Sequence, residues 1–333
     1  MSRPVRIGLS IVISVVFLGF ALRNVEWAKA YAALAGARYA YALPIFAVTV
    51  WTLYIRAQRW RILLRPVGTP SMRTLVDATY IGFMANNVLP LRIGEVIRPV
   101  LVSRKERQPL GGILATVVLE RIFDFFTILL LFGVATTLVP VSTDVRRLGY
   151  GLCGVVALLG GAVAFVRWQE ALALRLLRLG LRPLPQRFAQ PIDHFFGSFA
   201  HALEILDRPR TFIQLLGWSL YLWLAISCIY LLGILEFGLD VPLVVGGVVL
   251  TAITAIAVSA PSAPGGIGLF NFGCVLALSI FHISESDAVA YSIVLQVTQA
   301  VAVISAGLYS LAREGLTMRQ MEALSETADD AAA

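Results

Sequence analysis

Three polar, helix-breaking stretches interrupt an otherwise apolar chain, and they hold most of its candidates for chemistry. The first is Asn86-Asn87-Val88-Leu89-Pro90-Leu91-Arg92-Ile93-Gly94-Glu95-Val96-Ile97-Arg98. Arg92, Glu95 and Arg98 stand three apart, so on a helix they share roughly one face. An Arg-Glu-Arg row at an open helix end suits an anionic group, because guanidinium forks match carboxylate and phosphate oxygens while the acid orients one arginine. The same row would also serve as surface ion pairs on a cytoplasmic loop.

The second stretch is Glu120-Arg121-Ile122-Phe123-Asp124, inside an apolar run that starts near Ile113. At ~1.5 Å per residue, Glu120 lies about 10 Å along such a helix. Ionisable groups at that depth cost roughly 2.5–3.5 kcal/mol each and face a bundle interior or a watery cavity. Glu120 and Asp124 are four apart and share a face. Arg121 is expected to pair with one of them or with Glu95. Such a cluster either locks two helices together or works on a substrate, and both roles are compatible.

The third stretch is Ala260-Pro261-Ser262-Ala263-Pro264-Gly265-Gly266-Ile267-Gly268-Leu269-Phe270-Asn271. Glycines let the backbone turn and let another group approach closely. A helix starting near Gly268 would present free N–H groups, an anion-favouring end. The alternative is a short extramembrane loop between two full spans. Elsewhere little invites chemistry. His194, His201 and His282 have no acidic partners in a metal-like arrangement, and Cys153, Cys228 and Cys274 are far apart. Neither a metal site nor a cofactor site is expected. No P-loop, G-x-S-x-G or H-E-x-x-H pattern occurs. Energy for any transport would therefore come from a gradient.

The elements that position these stretches follow from composition. The chain has 333 residues, 58% of them apolar and 14% charged, with a mean hydropathy of +0.81. A soluble domain carries about 25% charged residues. A water-soluble enzyme and a disordered chain are both excluded. Apolar runs at 7–22, 39–55, 74–90, 113–141, 149–166, 211–235, 241–260, 266–283 and 288–312 are candidate spans. The first follows Arg3 and Arg6 without a small-residue cleavage site, and reads as a retained signal anchor.

Basic residues set the orientation. With the N-terminus cytoplasmic, Arg56, Arg59, Arg61, Arg65 and Arg73 follow the second span on the inside. Arg92, Arg98, Arg104, Lys105 and Arg107 stay inside only if 74–103 enters the membrane and returns as a hairpin. The whole assignment puts 21 basic residues inside and five outside, with Arg121 alone in a span. This accounts for the net charge of +7 without nucleic acid as a partner. Segment 241–283 is either a second hairpin, entering from outside, or two full spans, and orientation is the same for both. Residues 167–210 carry Trp168, Leu172, Leu176 and Leu179 at helical spacing with interleaved arginines. They read as a cytoplasmic amphipathic segment, with a second helix at roughly 192–206. The expected fold is all-α and integral to the membrane: about six full transmembrane helices and two oppositely oriented re-entrant hairpins over 1–312, then a polar cytoplasmic tail at 313–333.

The three stretches together resemble the flippase-like transmembrane region of lysylphosphatidylglycerol synthases, which also occurs as stand-alone membrane proteins. The resemblance rests on Asn87…Pro90-x-Arg92-x-Gly94-Glu95-x-x-Arg98, then Glu120-Arg121-x-x-Asp124, then Pro264-Gly265-Gly266-Ile267-Gly268, in that order. It implies two inverted halves facing a cavity that handles a lipid headgroup, in a bacterial-type inner membrane. Two positions depart from the family pattern. Asn271 stands where the family commonly has Glu, and Leu91 where it often has Gly. The loss of a carboxylate at 271 turns the expected substrate from a lysyl-lipid towards an uncharged or anionic polar lipid. The soluble aminoacyl-transfer domain has no counterpart in this chain.

The reading is a lipid translocase, or a component of lipid export, rather than an enzyme. Arg92 and Arg98 would bind phosphate or headgroup oxygens, and Glu95, Glu120 and Asp124 would orient the arginines or carry a proton. Asn86, Asn87, Pro264, Gly265, Gly266, Gly268 and Asn271 would line the tips within the membrane, beside Arg121. Two alternatives stay open: a membrane-embedded enzyme using Glu120 and Asp124 as acid and base on a lipid or polyprenyl carrier, and a structural partner of lipid-synthesis enzymes.

Overall fold

The computed structural model describes residues 12, 15–23, 25–89, 92–139, 143–182, 185–259 and 263–315. All the regular structure described is helical. Helical residues 15–22 come first. Then follow α1 (Trp27–Gly36), α2 (Ala42–Leu63), α3 (Met72–Val88), α4 (Gly94–Glu106), α5 (Leu110–Leu138) and α6 (Thr143–Trp168). The remaining helices are α7 (Glu170–Leu181), α8 (Gln186–Leu203), α9 (Pro209–Phe237), α10 (Leu243–Val258), α11 (Leu269–Ser279) and α12 (Glu285–Arg313). Among the described residues, three helices are long and apolar enough to cross a membrane: α2 with the turn before it, α9 and α12. The 29-residue α5 is of similar length and carries Glu120, Arg121 and Asp124. The expected signal anchor lies partly outside the described residues, as do Pro90 and the tail beyond 315.

The first helix pair, α3 and α4, called here the first hairpin, spans 72–106 and covers the interrupted 74–103 stretch. Ser71 starts it by accepting the Thr74 N–H, which satisfies one of the free donors of the first turn. The second hairpin is α10 and α11. Two hydrophobic clusters organise the rest. One joins the second hairpin to the start of α2 (Ile45), the end of α5 (Ile128, Leu131, Phe132) and the later part of α9 (Trp223, Ile229, Ile234). The other joins the first hairpin (Leu75, Ala78, Val102) to the end of α2 (Trp60, Leu63), the start of α5 (Ile113, Leu119) and Leu215 early in α9. Helices α2, α5 and α9 thus run through both halves, and each half wraps one hairpin. Helix α12 does the same, packing Tyr291 and Leu295 on the second hairpin side and Leu311 with Ile81 and Met84 of the first.

Two differences from the sequence reading stand out here. The second span was expected to stop at 55, but α2 continues to Leu63 and takes Arg56, Arg59 and Arg61 into the helix. Arg59 is fully buried. The expected end of the second span at 55 is therefore corrected, and Arg56 and Arg59 belong to the helix rather than to a loop after it. The physical reason is that Arg59 is paired with Asp124 and Glu120 inside the bundle and Arg56 faces Asp124 at 3.7 Å, so the helix need not end where they begin. In the 167–210 segment, two helices form as expected, α7 and α8, the second starting earlier than foreseen. Trp168, Leu172, Leu176 and Leu179 are exposed along one face of this region. Arg167 pairs with Asp207 and holds its carboxyl below the ordinary range, mainly through a side-chain hydrogen bond.

A half-buried ion pair fastens the first hairpin to the end of α12. The Arg313 guanidinium donates to Asp77 Oδ1, and Lys105 Nζ reaches Glu314 Oε1 at 2.5 Å. Asp77 is buried, whereas the Arg313 side chain is 29% exposed, so only one partner is deprived of water. Asp77→Asn is expected to lower stability by about 1–2 kcal/mol, between the exposed and the fully buried cases. Thermal unfolding in detergent measures this, and an unchanged midpoint would show the pair to be idle.

Candidate functional site

The site is assembled by α2, α4, α5 and α9. Asp124 lies 14 residues from either end of α5, and Trp223 lies 14 from either end of α9. Both are therefore roughly 21 Å from each helix terminus. Arg59 enters from α2 and donates through Nη1 to Asp124 Oδ1 at 2.6 Å and to Ser219 Oγ at 3.0 Å. Its Nη2 donates to Glu120 Oε1 at 3.2 Å. Trp223 Nε1 donates to Asp124 Oδ1 at 3.2 Å. From α4, Arg98 lies against the same Glu120, with Nη1 to Oε1 at 3.3 Å and Nη2 to Oε2 at 2.9 Å. The Arg98 guanidinium sits 3.9 Å from the centroid of the Trp60 ring, a cation–π contact. Trp60 Nε1 in turn donates to Thr116 Oγ1 at 2.9 Å. Glu120 thus joins two arginines from two different helices, one of them in the first hairpin.

Two further arginines flank this centre. Arg56 Nη1 and Arg121 Nη1 each stand 3.7 Å from Asp124 Oδ2, beyond hydrogen-bond reach. Arg56 also lies 4.9 Å from the centroid of the Phe83 ring of α3. Arg121 therefore pairs loosely with Asp124. Glu95 is within its electrostatic reach. Glu95 was expected to orient one arginine of its row; Arg98 is instead held by Glu120. Arg92, Glu95 and Arg98 do not form one helical row. Arg92 precedes α4 and has a left-handed backbone, φ 53°.

The tips of the two hairpins touch. Arg92 Nη2 donates to the carbonyl of Val258, the last residue of α10, at 2.5 Å. A cation there complements the negative end of a helix. A side chain at Gly265 would come within 3.4 Å of Asn87 Oδ1. Asn87 Nδ2 bonds the Phe83 carbonyl at 3.0 Å, so it closes the end of α3. Gly265, Gly266 and Gly268 have φ of 69°, 72° and 85°, values that favour glycine and explain the Pro264-Gly265-Gly266 turn. Gln296 Nε2 of α12 donates to the Gly265 carbonyl at 3.0 Å, three residues from the midpoint of that helix. Tip contact therefore occurs near mid-length of the long helices.

Asn271 has a different task from the one expected. Its Oδ1 accepts the Gly268 N–H at 3.2 Å and its Nδ2 donates to Ser292 Oγ at 2.9 Å. It is buried, caps α11 and ties that helix to α12. The helix end expected to be open to anions is partly occupied by its own chain. Asn86 is half-buried, with an Oδ1 that has no hydrogen-bond partner among the described residues. Of the predicted set, Arg98, Glu120, Arg121 and Asp124 come together in the ionic centre. Asn87, Arg92, Gly265 and their neighbours form the tip contact. Sequence reasoning missed Arg56, Arg59, Ser219, Trp223 and Gln296. Among the described residues no group of His, Cys, Asp and Glu could hold a metal.

Residues 7–307 match the family described as the lysylphosphatidylglycerol synthase TM region. The chain belongs to that family. It is also 27% identical over 306 residues to the protein named Glycosyltransferase AglD of Haloferax volcanii, covering 81% of this chain and 48% of that one. This chain spans about half the length of that relative. No solved structure matches. Family membership and the apolar helices make this a helical membrane protein with a lipid-related role.

Proposed function

We propose that this protein is a lipid translocase: it moves a lipid with a polar headgroup between leaflets of a bacterial-type inner membrane, with both termini cytoplasmic. In this reading α3/α4 and α10/α11 are re-entrant hairpins entering from opposite sides, and six other helices cross fully. The observation that carries it is the meeting of the two hairpin tips, Arg92 on the Val258 carbonyl, at the level where Gln296 of α12 reaches Gly265. Broken helices at membrane depth are tolerated where they are buried or line a path, and substrate sites in such folds lie between opposed halves. Polar headgroups would pass beside the ionic centre while acyl chains remain in lipid.

The alternative of a lipid-modifying enzyme relies on Glu120 and Asp124 as acid and base. Each carboxylate accepts hydrogen bonds from arginine, which favours orientation over proton delivery. The transferase name of the relative describes that longer protein. An accessory role beside lipid-synthesis enzymes would need no ionic centre of this kind.

The test is transbilayer movement of a headgroup-labelled phospholipid in proteoliposomes, read by leaflet-specific quenching. Wild type should accelerate exchange, and Arg98→Ala, which frees Glu120 from the hairpin, should cut the rate by about tenfold or more while the protein stays folded. Equal rates with wild-type, Arg98→Ala and empty liposomes would overturn the proposal.

A further inference from the structure

The ionic centre does not balance. Arg56, Arg59, Arg98 and Arg121 bring four positive charges, and Glu120 and Asp124 bring two negative ones. The surplus is two. Uncompensated charge in a buried, low-dielectric site is costly, and it is retained where something else supplies the counter-charge. The four arginines are also unequal. Arg59 and Arg98 are committed to Glu120 and Asp124 by hydrogen bonds. Arg56 and Arg121 are not. Among the described residues, Arg56 Nη1 and Arg121 Nε are buried donors with no acceptor, as are Arg59 Nε and Arg98 Nε, but Arg56 and Arg121 meet a carboxylate only at 3.7 Å, at Asp124 Oδ2, which itself accepts no hydrogen bond. The side chain of Arg121 is 35% exposed, against 11% for Arg56 and 5% or less for the others of the centre. Arg121 is thus the most accessible member of the centre.

We propose that Arg56 and Arg121 form the receiving fork of an anion site that takes the phosphate group of a lipid headgroup. This deepens the translocase reading and rests on it for the ligand's being a lipid. Two guanidinium groups with unused donors match the oxygens of a phosphate, and arginine suits that geometry better than lysine. A phosphate monoester carries about −1.5 to −2 at neutral pH and would cancel the surplus of two. A diester carries one negative charge and cancels half of it. Arg56 lies over Phe83 of the first hairpin, so an anion held there also touches the element whose tip meets the second hairpin. Arg92 and Arg98, the arginines most visible in the sequence, hold the hairpin in place.

The experiment is retention of radiolabelled lipid by the full chain in phosphatidylcholine nanodiscs, with phosphatidic acid, phosphatidylglycerol and phosphatidylcholine as probes and inorganic phosphate as competitor. The expected order is phosphatidic acid, then phosphatidylglycerol, then phosphatidylcholine, with inorganic phosphate displacing the first. Arg121→Gln and Arg56→Gln should each weaken retention of phosphatidic acid by about tenfold. Arg182→Gln, on the exposed end of α7, should leave it unchanged. If Arg56→Gln fails to fold, the more exposed Arg121 decides, with Arg121→Lys expected to recover part of the binding. Equal retention of the three lipids, or wild-type retention by folded Arg121→Gln, would overturn the site. Binding of inorganic phosphate without retention of phosphatidic acid would overturn the lipid assignment. Transbilayer movement without a phosphate preference would sink this inference and spare the translocase. Phosphate-selective retention without movement would do the reverse.

Discussion

Replacing Glu120 by Gln should be among the most damaging single changes in this protein, lowering stability by about 3–5 kcal/mol. Glu120 is completely buried and accepts from Arg59 of α2 and Arg98 of α4. The amide keeps the shape but removes the charge and one acceptor oxygen. Two guanidinium groups then face each other with only Asp124 between them and the surplus, and the excess of positive charge rises from two to three. Arg98 can fall back on the Trp60 ring, a contact worth about 2 kcal/mol at most when desolvated. Arg59 retains Asp124 and Ser219. The loss should therefore appear mainly as detachment of the first hairpin. Thermal unfolding in detergent measures the destabilisation, and a double-mutant cycle with Arg98→Gln assigns it. The double variant should be markedly more stable than the sum of the single effects, because it removes the stranded charge together with its partner. Strict additivity would mean that Glu120 and Arg98 do not act as a pair.

The sequence makes the interruptions legible but hides their partners. Asn87, Arg92, Gly94, Glu120, Asp124 and the Pro264–Gly268 turn stand out because each breaks an apolar run or charges it. Arg59 does not stand out, because it follows an apolar run and sits among Arg56, Arg61 and Arg65, where charge reads as the cytoplasmic end of a span. A signal was present nevertheless: Ala57, Trp60, Leu63 and Leu64 continue a helical spacing past Arg56 and Arg59, and all four are buried. Gln296 is hidden in the opposite way, as a single amide within an apolar helix. The role of Asn271 was also beyond a linear reading, since its partner Ser292 is 21 residues away on another helix. Spacing along one helix reveals which residues share a face. It does not reveal which charges on different helices cancel, and here that pairing determines which arginines remain open to a ligand.

A second large effect is expected from Gly94→Ala, a change of one methyl group. Gly94 begins α4 directly opposite Gly82 of α3, and the two backbones approach so closely that a Cβ on Gly94 would overlap the Gly82 carbonyl oxygen. It would also come within 2.7 Å of Asn86 Oδ1. The obstacle is backbone, so no side-chain rotation relieves it, and the hairpin must open. Close approach through small residues is how helices pack where lipid supplies little hydrophobic drive. Opening at Gly94 would shift Arg98, one turn further along, away from Glu120, and would shift Arg92 away from the Val258 carbonyl at the tip. Overpacking alone costs about 1–3 kcal/mol, and the loss of the Arg98 pairing adds to it. Gly94→Ala should therefore reduce both the unfolding temperature and transbilayer movement. Gly133→Ala, where nothing stands within 4 Å of the new Cβ, should alter neither. A Gly94→Ala protein with wild-type stability and transport would show that the close crossing of α3 and α4 does not position Arg98.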